Sequence, residues 1–177
     1  MEYLYAPWRS NYIRTHTKDS ACPLCLLPIG VKVKTAHPEP VEGLAAIEDK
    51  HKYVLKRFEH VYVMLNLYPY NPGHLMVIPF QHVGTLHELA PAARAELMEV
   101  ASQSSVILEQ ELKIDGLNMG LNIGGKAAGG TIPEHLHLHV LPRFNGDTNF
   151  LPLLSQTKQI SLNLPELYQQ LKKAFNA

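Results

Sequence analysis

His135, His137 and His139 alternate with leucine and valine in the segment Glu134–Leu141. Strict alternation of this kind predicts a strand with one buried face. Side chains at positions i, i+2 and i+4 leave a strand on the same side, about 6.5–7 Å from one neighbour to the next. The segment is therefore predicted to present a row of three imidazoles on one face, with its apolar residues packed into the core behind them.

A glycine-rich loop, Gly124–Thr131, leads directly into this predicted strand and contains Lys126. Loops of this composition let main-chain N–H groups point together at an anion, and a lysine adds positive charge. Three interpretations of the histidines are then open: a solvated or hydrogen-bonded strand face, a metal site built on a His-x-His pair, or nucleophilic attack on a phosphate by neutral imidazole. The neighbouring loop favours the third interpretation.

Cys22 and Cys25, the two cysteines of the chain, form a Cys-x-x-Cys pair. In a cytosolic chain such a pair is more often half of a metal site than a disulfide. A redox pair is the rival interpretation, but no βαβ pattern follows the motif. If the site holds zinc, its tetrahedral coordination needs two further ligands from elsewhere in the chain.

Length and composition limit the class of protein. A chain of 177 residues with 46% hydrophobic residues suits one domain with an ample core. Sixteen basic residues balance sixteen acidic ones, so no broad field for nucleic acid or a membrane surface is expected, although a local anion site stays open. The sequence has no run of ~18–20 apolar residues and its first residues lack signal-peptide character, so a cytoplasmic protein is expected.

Hydrophobic periodicity predicts the elements that must position these residues. Five strands are expected, over Tyr53–Phe58, Val61–Asn66, His74–Pro79, Leu117–Asn122 and Glu134–Leu141. A long helix is expected from Pro91 to about Leu112, and a final amphipathic helix over Leu164–Phe175 with Asn163 as its cap. The predicted fold class is α+β, with an antiparallel sheet of about five strands, one long helix and a C-terminal helix.

The run His135-Leu136-His137-Leu138-His139-Val140-Leu141 resembles the signature of the histidine triad (HIT) superfamily of nucleotide hydrolases and transferases. Its continuation, Pro142–Phe150, is similar in particular to bacterial members related to diadenosine tetraphosphate phosphorylases. Further upstream, matching segments occur in the same order: Ala6–Arg9, Tyr12-Ile13, Asn66–His74, and Val77–Pro79 followed by His82.

The resemblance implies a HIT-like fold for a single domain over residues 1–177. Within it we expect an N-terminal segment with the Cys-x-x-Cys pair (1–25), a loop insertion (26–50), a catalytic core (51–150), and a C-terminal tail and helix (151–177).

The resemblance also implies roles for the histidines. His137 would attack the α-phosphate of a bound nucleotide and form a covalent nucleotidyl-histidine, and His139 would donate a proton to a non-bridging or leaving oxygen. His135 completes the triad. His74 would help to orient it, with a purely structural role as the alternative.

The resemblance also implies which residues bind the nucleotide. Asn66 would bind the ribose hydroxyls, with a strand-end cap as its alternative. Phe144 would stack on the base, with a packing role as its alternative. The expected phosphate contacts are Asn122, Gly129, Gly130 and Thr131.

For the metal, the resemblance extends to zinc-bearing members of the superfamily and to the related galactose-1-phosphate uridylyltransferases. It implies a structural Zn²⁺ held by Cys22, Cys25, His82 and His135. Mg²⁺ would enter only with the substrate. The expected partners are a nucleotide substrate and a second copy in a homodimer, with no nucleic acid and no membrane.

The function implied by the resemblance is nucleotidyl transfer or hydrolysis on dinucleoside polyphosphates, with phosphorolysis favoured over hydrolysis. A nucleoside phosphoramidase or another HIT nucleotide hydrolase is the alternative within the family. From other classes, a nucleotide-binding regulatory protein without turnover stays open, as does a zinc hydrolase that uses the three triad histidines as ligands.

Overall fold

A computed structural model of the chain describes residues 22–26, 53–124, 127–128, 132–151, 154, 158, 160 and 163–177. The predictions for residues 1–21, the 26–50 insertion beyond Leu26, and Gly129 through Thr131 therefore fall wholly or largely outside the described residues. Along the part of the chain that is described, no helix combines the length and the apolar character needed to cross a bilayer.

Within these residues, five strands form one antiparallel sheet in the order β1-β2-β3-β5-β4. The strands are β1 (Val54–Arg57), β2 (Val61–Leu65), β3 (Leu75–Pro79), β4 (Gly116–Leu121) and β5 (Leu138–Arg143). A single helical turn, α1 (Pro23–Leu26), precedes them. The long helix α2 (Pro91–Leu112) lies between β3 and β4, and α3 (Leu164–Phe175) follows β5. The predicted α+β fold class is confirmed.

The strand that carries the histidines differs from its prediction. We expected Glu134–Leu141, but β5 begins at Leu138 and continues to Arg143. The main-chain N–H of Leu136 donates to the carbonyl oxygen of Val83, in the loop after β3, at 2.6 Å. Alternation in sequence cannot separate a strand from an extended segment that bonds to a loop, because both place successive side chains on opposite sides. His135 and His137 therefore precede the strand, and the predicted start of the strand is wrong.

Helices α2 and α3 cover one face of the sheet. Helix α2 begins at Pro91, whose missing N–H is tolerated in a first turn, and ends where Lys113 takes the left-handed conformation (φ 51°, ψ 48°). Helix α3 is capped by Asn163, whose side-chain oxygen accepts from the Glu166 N–H. The buried core on this face includes Val63, Val77, Leu97, Leu108, Val140, Leu171 and Phe175. The C-terminal helix thus packs on the body of its own chain.

The opposite face of the sheet carries the functional groups. Leu75 and Val77 of β3 point to the helices, whereas Met76 and Ile78 belong to a second buried cluster that includes Leu24 beside the cysteines. His139 lies directly opposite Met76 in the antiparallel ladder. Residues that pair across a ladder project to the same side, so His139 stands on the face away from the helices.

Glu96 of α2 joins the helical layer to the turn between β1 and β2. Its carboxylate accepts hydrogen bonds from three successive main-chain N–H groups, those of Glu59 (3.3 Å), His60 (2.5 Å) and Val61 (3.1 Å). Hydrogen bonds to an ionised acceptor are stronger than neutral ones. This contact fixes the hairpin against the helix.

We expect Glu96→Ala to lower the free energy of unfolding by about 1–3 kcal/mol, because three main-chain donors, two of them partly buried, lose their acceptor. Glu99→Ala is the matched control, since Glu99 is exposed on the same helix and accepts a hydrogen bond from Gln103 of that helix. Chemical denaturation of the two variants measures the difference. Equal stability of both variants would contradict this role for Glu96.

Candidate active site and metal centre

Two cysteines and two histidines meet at one end of the functional face. Cys22 directly precedes α1, Cys25 lies within it, His82 follows β3, and His135 precedes β5. Their side-chain ligand atoms all lie within 4.8 Å of one another. Segments that are more than 100 residues apart in sequence are thus brought together, as a metal site between them requires.

The distances within this Cys2His2 cluster fit a tetrahedral ion. Nδ1 of His82 lies 3.2 Å from Sγ of Cys25 and 3.3 Å from Nδ1 of His135. Nδ1 of His135 lies 3.4 Å from each sulfur. A zinc ion with bonds of about 2.3 Å to sulfur and 2.0–2.1 Å to nitrogen spaces its ligand atoms about 3.3–3.8 Å apart. The cluster therefore supports a zinc site, in which both histidines would bind through Nδ1.

Buried groups hold the ligands in place. The hydroxyl of Tyr62, fully buried, donates to the carbonyl oxygen of Leu24 between the two cysteines at 2.7 Å. Nε2 of His135 lies 2.9 Å from the carbonyl oxygen of Pro79, so this nitrogen carries the proton and Nδ1 is left for the metal. Such partners fix the ring orientation of a metal-binding histidine.

The two thiols are electrostatically unequal. A hydrogen bond from Cys25, with His135 nearby, lowers the pKa of Cys22 well below the usual value of a thiol, despite its burial. The same bond, together with burial, raises the pKa of Cys25. Since metals bind the thiolate, an ion in the cluster would bind both sulfurs in their deprotonated state.

His137 has the tautomer that a nucleophile requires. Its Nδ1 lies 2.7 Å from the carbonyl oxygen of His135. A carbonyl can only accept, so Nδ1 carries the proton and the lone pair is on Nε2. Burial is the main cause that lowers the pKa of His137, which keeps this ring neutral at physiological pH.

His74 has the opposite assignment, because its surroundings supply donors. Nδ1 of His74 lies 3.2 Å from the Tyr70 main-chain N–H and 3.3 Å from the Asn66 amide. The oxygen of that amide accepts from the Tyr68 N–H at 2.9 Å, so the Asn66 nitrogen faces His74. Nδ1 of His74 is therefore an acceptor, and the proton is on Nε2.

This proton fixes the state of His139. Nε2 of His74 lies 2.9 Å from Nδ1 of His139, to which it donates. A neutral His139 consequently carries its own proton on Nε2. The Asn122 side-chain amide lies 3.4 Å from this nitrogen and would accept the proton with its oxygen turned towards the ring, because its NH2 group can only donate. The rings of His137 and His139 are 4.9 Å apart. The two histidines thus offer a lone pair and a proton side by side.

The loop between β2 and β3 is fastened to the end of β5. Asn71 donates to the carbonyl oxygen of Pro142 at 2.9 Å and to the Asp147 carboxylate at 2.8 Å, and its own side-chain oxygen accepts from Lys158. Arg143 forms an ion pair with Asp147 at 2.6 Å, which lowers the pKa of that carboxyl group. The loop that carries Asn66 and His74 is thereby held against the strand of His139.

The structure separates the predicted site residues into two groups. His135 lies in the Cys2His2 cluster, whereas His74, His137, His139, Asn66 and Asn122 lie together beside it. Phe144 is half-buried in the turn after β5, where its N–H donates to Asp147. The predicted phosphate contacts Gly129, Gly130 and Thr131 fall outside the described residues.

Sequence reasoning assigned no role to Tyr70, Asn71 or Asp147. All three lie in segments that carried the resemblance, so that resemblance was the available signal. Lys158 lies in an irregular tail and had none.

The model of the HIT domain family matches residues 48–146, more than half of the chain. The chain belongs to the histidine triad family.

Relatives and solved HIT structures extend over much of this protein. AP-4-A phosphorylase of Mycobacterium tuberculosis is 35% identical over 165 residues, covering 90% of this chain and 77% of the relative. An asymmetrical bis(5'-nucleosyl)-tetraphosphatase of Schizosaccharomyces pombe is 32% identical over 59% of this chain and 57% of its own length. A Zn-bound histidine triad family protein from Mycobacterium smegmatis superposes with a TM-score of 0.57 and 29% identity, covering 70% of this chain and 84% of that one.

We expect the purified HIT protein to contain about one zinc ion per chain, and His82→Ala to lose it, because three ligands hold zinc much more weakly than four. His87→Ala, which alters an exposed histidine nearby, is the control and should retain the metal. Elemental analysis measures zinc content and thermal melting measures stability. A parent protein free of zinc after expression with the metal would contradict the site.

Proposed function

We propose that this HIT protein is a nucleotidyltransferase that cleaves dinucleoside polyphosphates through a covalent nucleotidyl-histidine, with inorganic phosphate preferred over water as acceptor. The observation that carries the proposal is the pair of hydrogen bonds made by Nδ1 of His137 and Nδ1 of His139. They assign opposite tautomers, with a lone pair on Nε2 of His137 and a proton on Nε2 of His139. Nε2 of His137 can attack phosphorus while the Nε2–H of His139 donates a hydrogen bond.

The first step follows from these two states. Nε2 of His137 forms a bond to the α-phosphorus, and the bond from phosphorus to the oxygen of the leaving nucleotide breaks. The electron pair goes to that oxygen, which leaves as an anion and accepts a hydrogen bond from Nε2–H of the neutral His139. In the second step an oxygen of phosphate or water attacks the same phosphorus, and the nitrogen–phosphorus bond breaks to restore the His137 lone pair.

The remaining site residues would bind the nucleotide. Asn122, whose side-chain amide lies 3.4 Å from Nε2 of His139, is proposed to contact the phosphate together with Gly129, Gly130 and Thr131. Asn66 is proposed at the ribose and Phe144 at the base. Donors aimed at the phosphoryl oxygens would stabilise charge that develops in the transition state.

Zinc in the Cys2His2 cluster would be structural. Four protein ligands leave no open position for water or substrate. It would hold His135, whose carbonyl oxygen fixes the His137 ring. Mg²⁺ would accompany the polyphosphate only, and a homodimer and a cytoplasmic location complete the proposal.

Phosphorolysis is favoured by the similarity to AP-4-A phosphorylase, which covers 90% of this chain. The similarity to an asymmetrical tetraphosphatase keeps hydrolysis as the second candidate. A zinc hydrolase built on the three triad histidines is disfavoured, because His135 points to the cysteines while the His137 ring bonds to a carbonyl.

The test is incubation with diadenosine tetraphosphate, with and without inorganic phosphate, followed by separation of the products. We expect ADP and ATP only when phosphate is present, and a loss of at least about a thousandfold in kcat for His137→Ala. His87→Ala serves as the control with unchanged rate. AMP and ATP formed without phosphate would indicate a hydrolase instead.

Two other outcomes would contradict the proposed reaction and indicate a different function. Turnover of a nucleoside phosphoramidate alone would indicate the phosphoramidase of the same family. Tight nucleotide binding with no turnover of either substrate would indicate a regulatory binding protein.

A further inference from the structure

Tyr70 contacts the His74–His139 pair in two ways. Its ring centroid lies 4.9 Å from that of His74 and 6.3 Å from that of His139, inclined by 35° to each. Its main-chain N–H donates to Nδ1 of His74. One residue thus touches both the ring faces and the hydrogen bond that sets the tautomer.

The burial of these residues shows what the ring covers. His74 has no exposed surface, whereas the Tyr70 side chain packed against it is 43% exposed. The Tyr70 ring therefore forms part of the wall between His74 and solvent. Water that reached the pair would compete for its hydrogen bond, because an imidazole N–H bonds to water as readily as to a second imidazole.

The position of Tyr70 is fixed by its neighbour in sequence. Asn71 is buried and bonded to Pro142 and Asp147, at the end of the strand that carries His139. The ring and the histidine are thereby held by the same anchor. A tyrosine with no role beyond the surface would not require a buried, hydrogen-bonded neighbour of this kind.

We propose that Tyr70 is a positioning residue for His139. Its ring shields the His74–His139 hydrogen bond from water, and its N–H keeps His74 in the tautomer that leaves the proton of His139 on Nε2. The shielding is a property of the fold, whereas its effect on turnover rests on the proposed function.

The first measurement does not need turnover. The exchange of the His74 Nε2 proton with water can be followed by proton–nitrogen NMR of the imidazole rings. We expect Tyr70→Ala to accelerate this exchange by about tenfold or more, since the covered proton becomes accessible. Tyr70→Phe keeps the ring and should restore slow exchange. Leu67→Ala removes a side chain of similar exposure from the same loop and should change nothing.

The second measurement asks whether Tyr70 acts through the pair. On diadenosine tetraphosphate, Tyr70→Ala should lower kcat about tenfold with KM within about twofold, since the hydrogen bond from His139 to the leaving oxygen is impaired and binding is not. In a His74→Ala background the same change should have almost no further effect, because interacting residues give non-additive losses. His74→Gln provides a second background if the alanine variant does not fold.

The outcomes separate this proposal from the proposed function. Unchanged proton exchange in Tyr70→Ala would overturn the positioning role whatever the kinetics. A raised KM with normal kcat would assign Tyr70 to substrate contact, and multiplicative losses with His74 would show independent action; either result contradicts the proposal. Faster exchange in a protein without turnover would instead support the positioning role and reject the proposed function.

Discussion

The hydrogen bond from Nδ1 of His137 to the carbonyl oxygen of His135 is the constraint on which the site depends. Through this bond His135 belongs to both halves of the functional face, the Cys2His2 cluster and the group around His137. The side chain of His135 lies among the metal ligands, and its main chain fixes the neighbouring imidazole. A rotation of the His135 peptide would remove the acceptor, and His137 would lose the preference for its reactive tautomer.

The rest of the fold supports this bond from both sides. Beneath it, Leu138 and Val140 are buried among the residues that pack the sheet on α2 and α3. Beside it, Leu136 bonds to Val83 and packs in a small cluster with Leu89 and Ala93, which ties the segment to the start of α2. A closely packed interior resists small displacements. The segment before β5 is therefore placed by packing even though it is not part of the sheet.

Most of the fold could be predicted from the sequence, because the signals that mark its helices and strands are local. Pro91 and Asn163 marked helix starts through the chemistry of first turns and caps, and both helices have the predicted bounds. The start of β5 was not predictable, since the bond from Leu136 to Val83 depends on a loop 53 residues away. Residue types alone did not reveal the directions of the imidazoles, although the family resemblance assigned His135 to the cysteines and His74 to the triad. His135 turns to the cysteines and His74 joins His139 because of contacts that exist only after folding.

The most direct test of the account is the covalent intermediate. The protein would be mixed with diadenosine tetraphosphate in the absence of phosphate, quenched rapidly, and measured as intact chain and as peptides by mass spectrometry. We expect one adenylyl group per chain, attached to His137 and removed on addition of inorganic phosphate. Turnover with no labelled protein at any time, or an adenylyl group on another residue, would contradict the assignment of His137 as nucleophile.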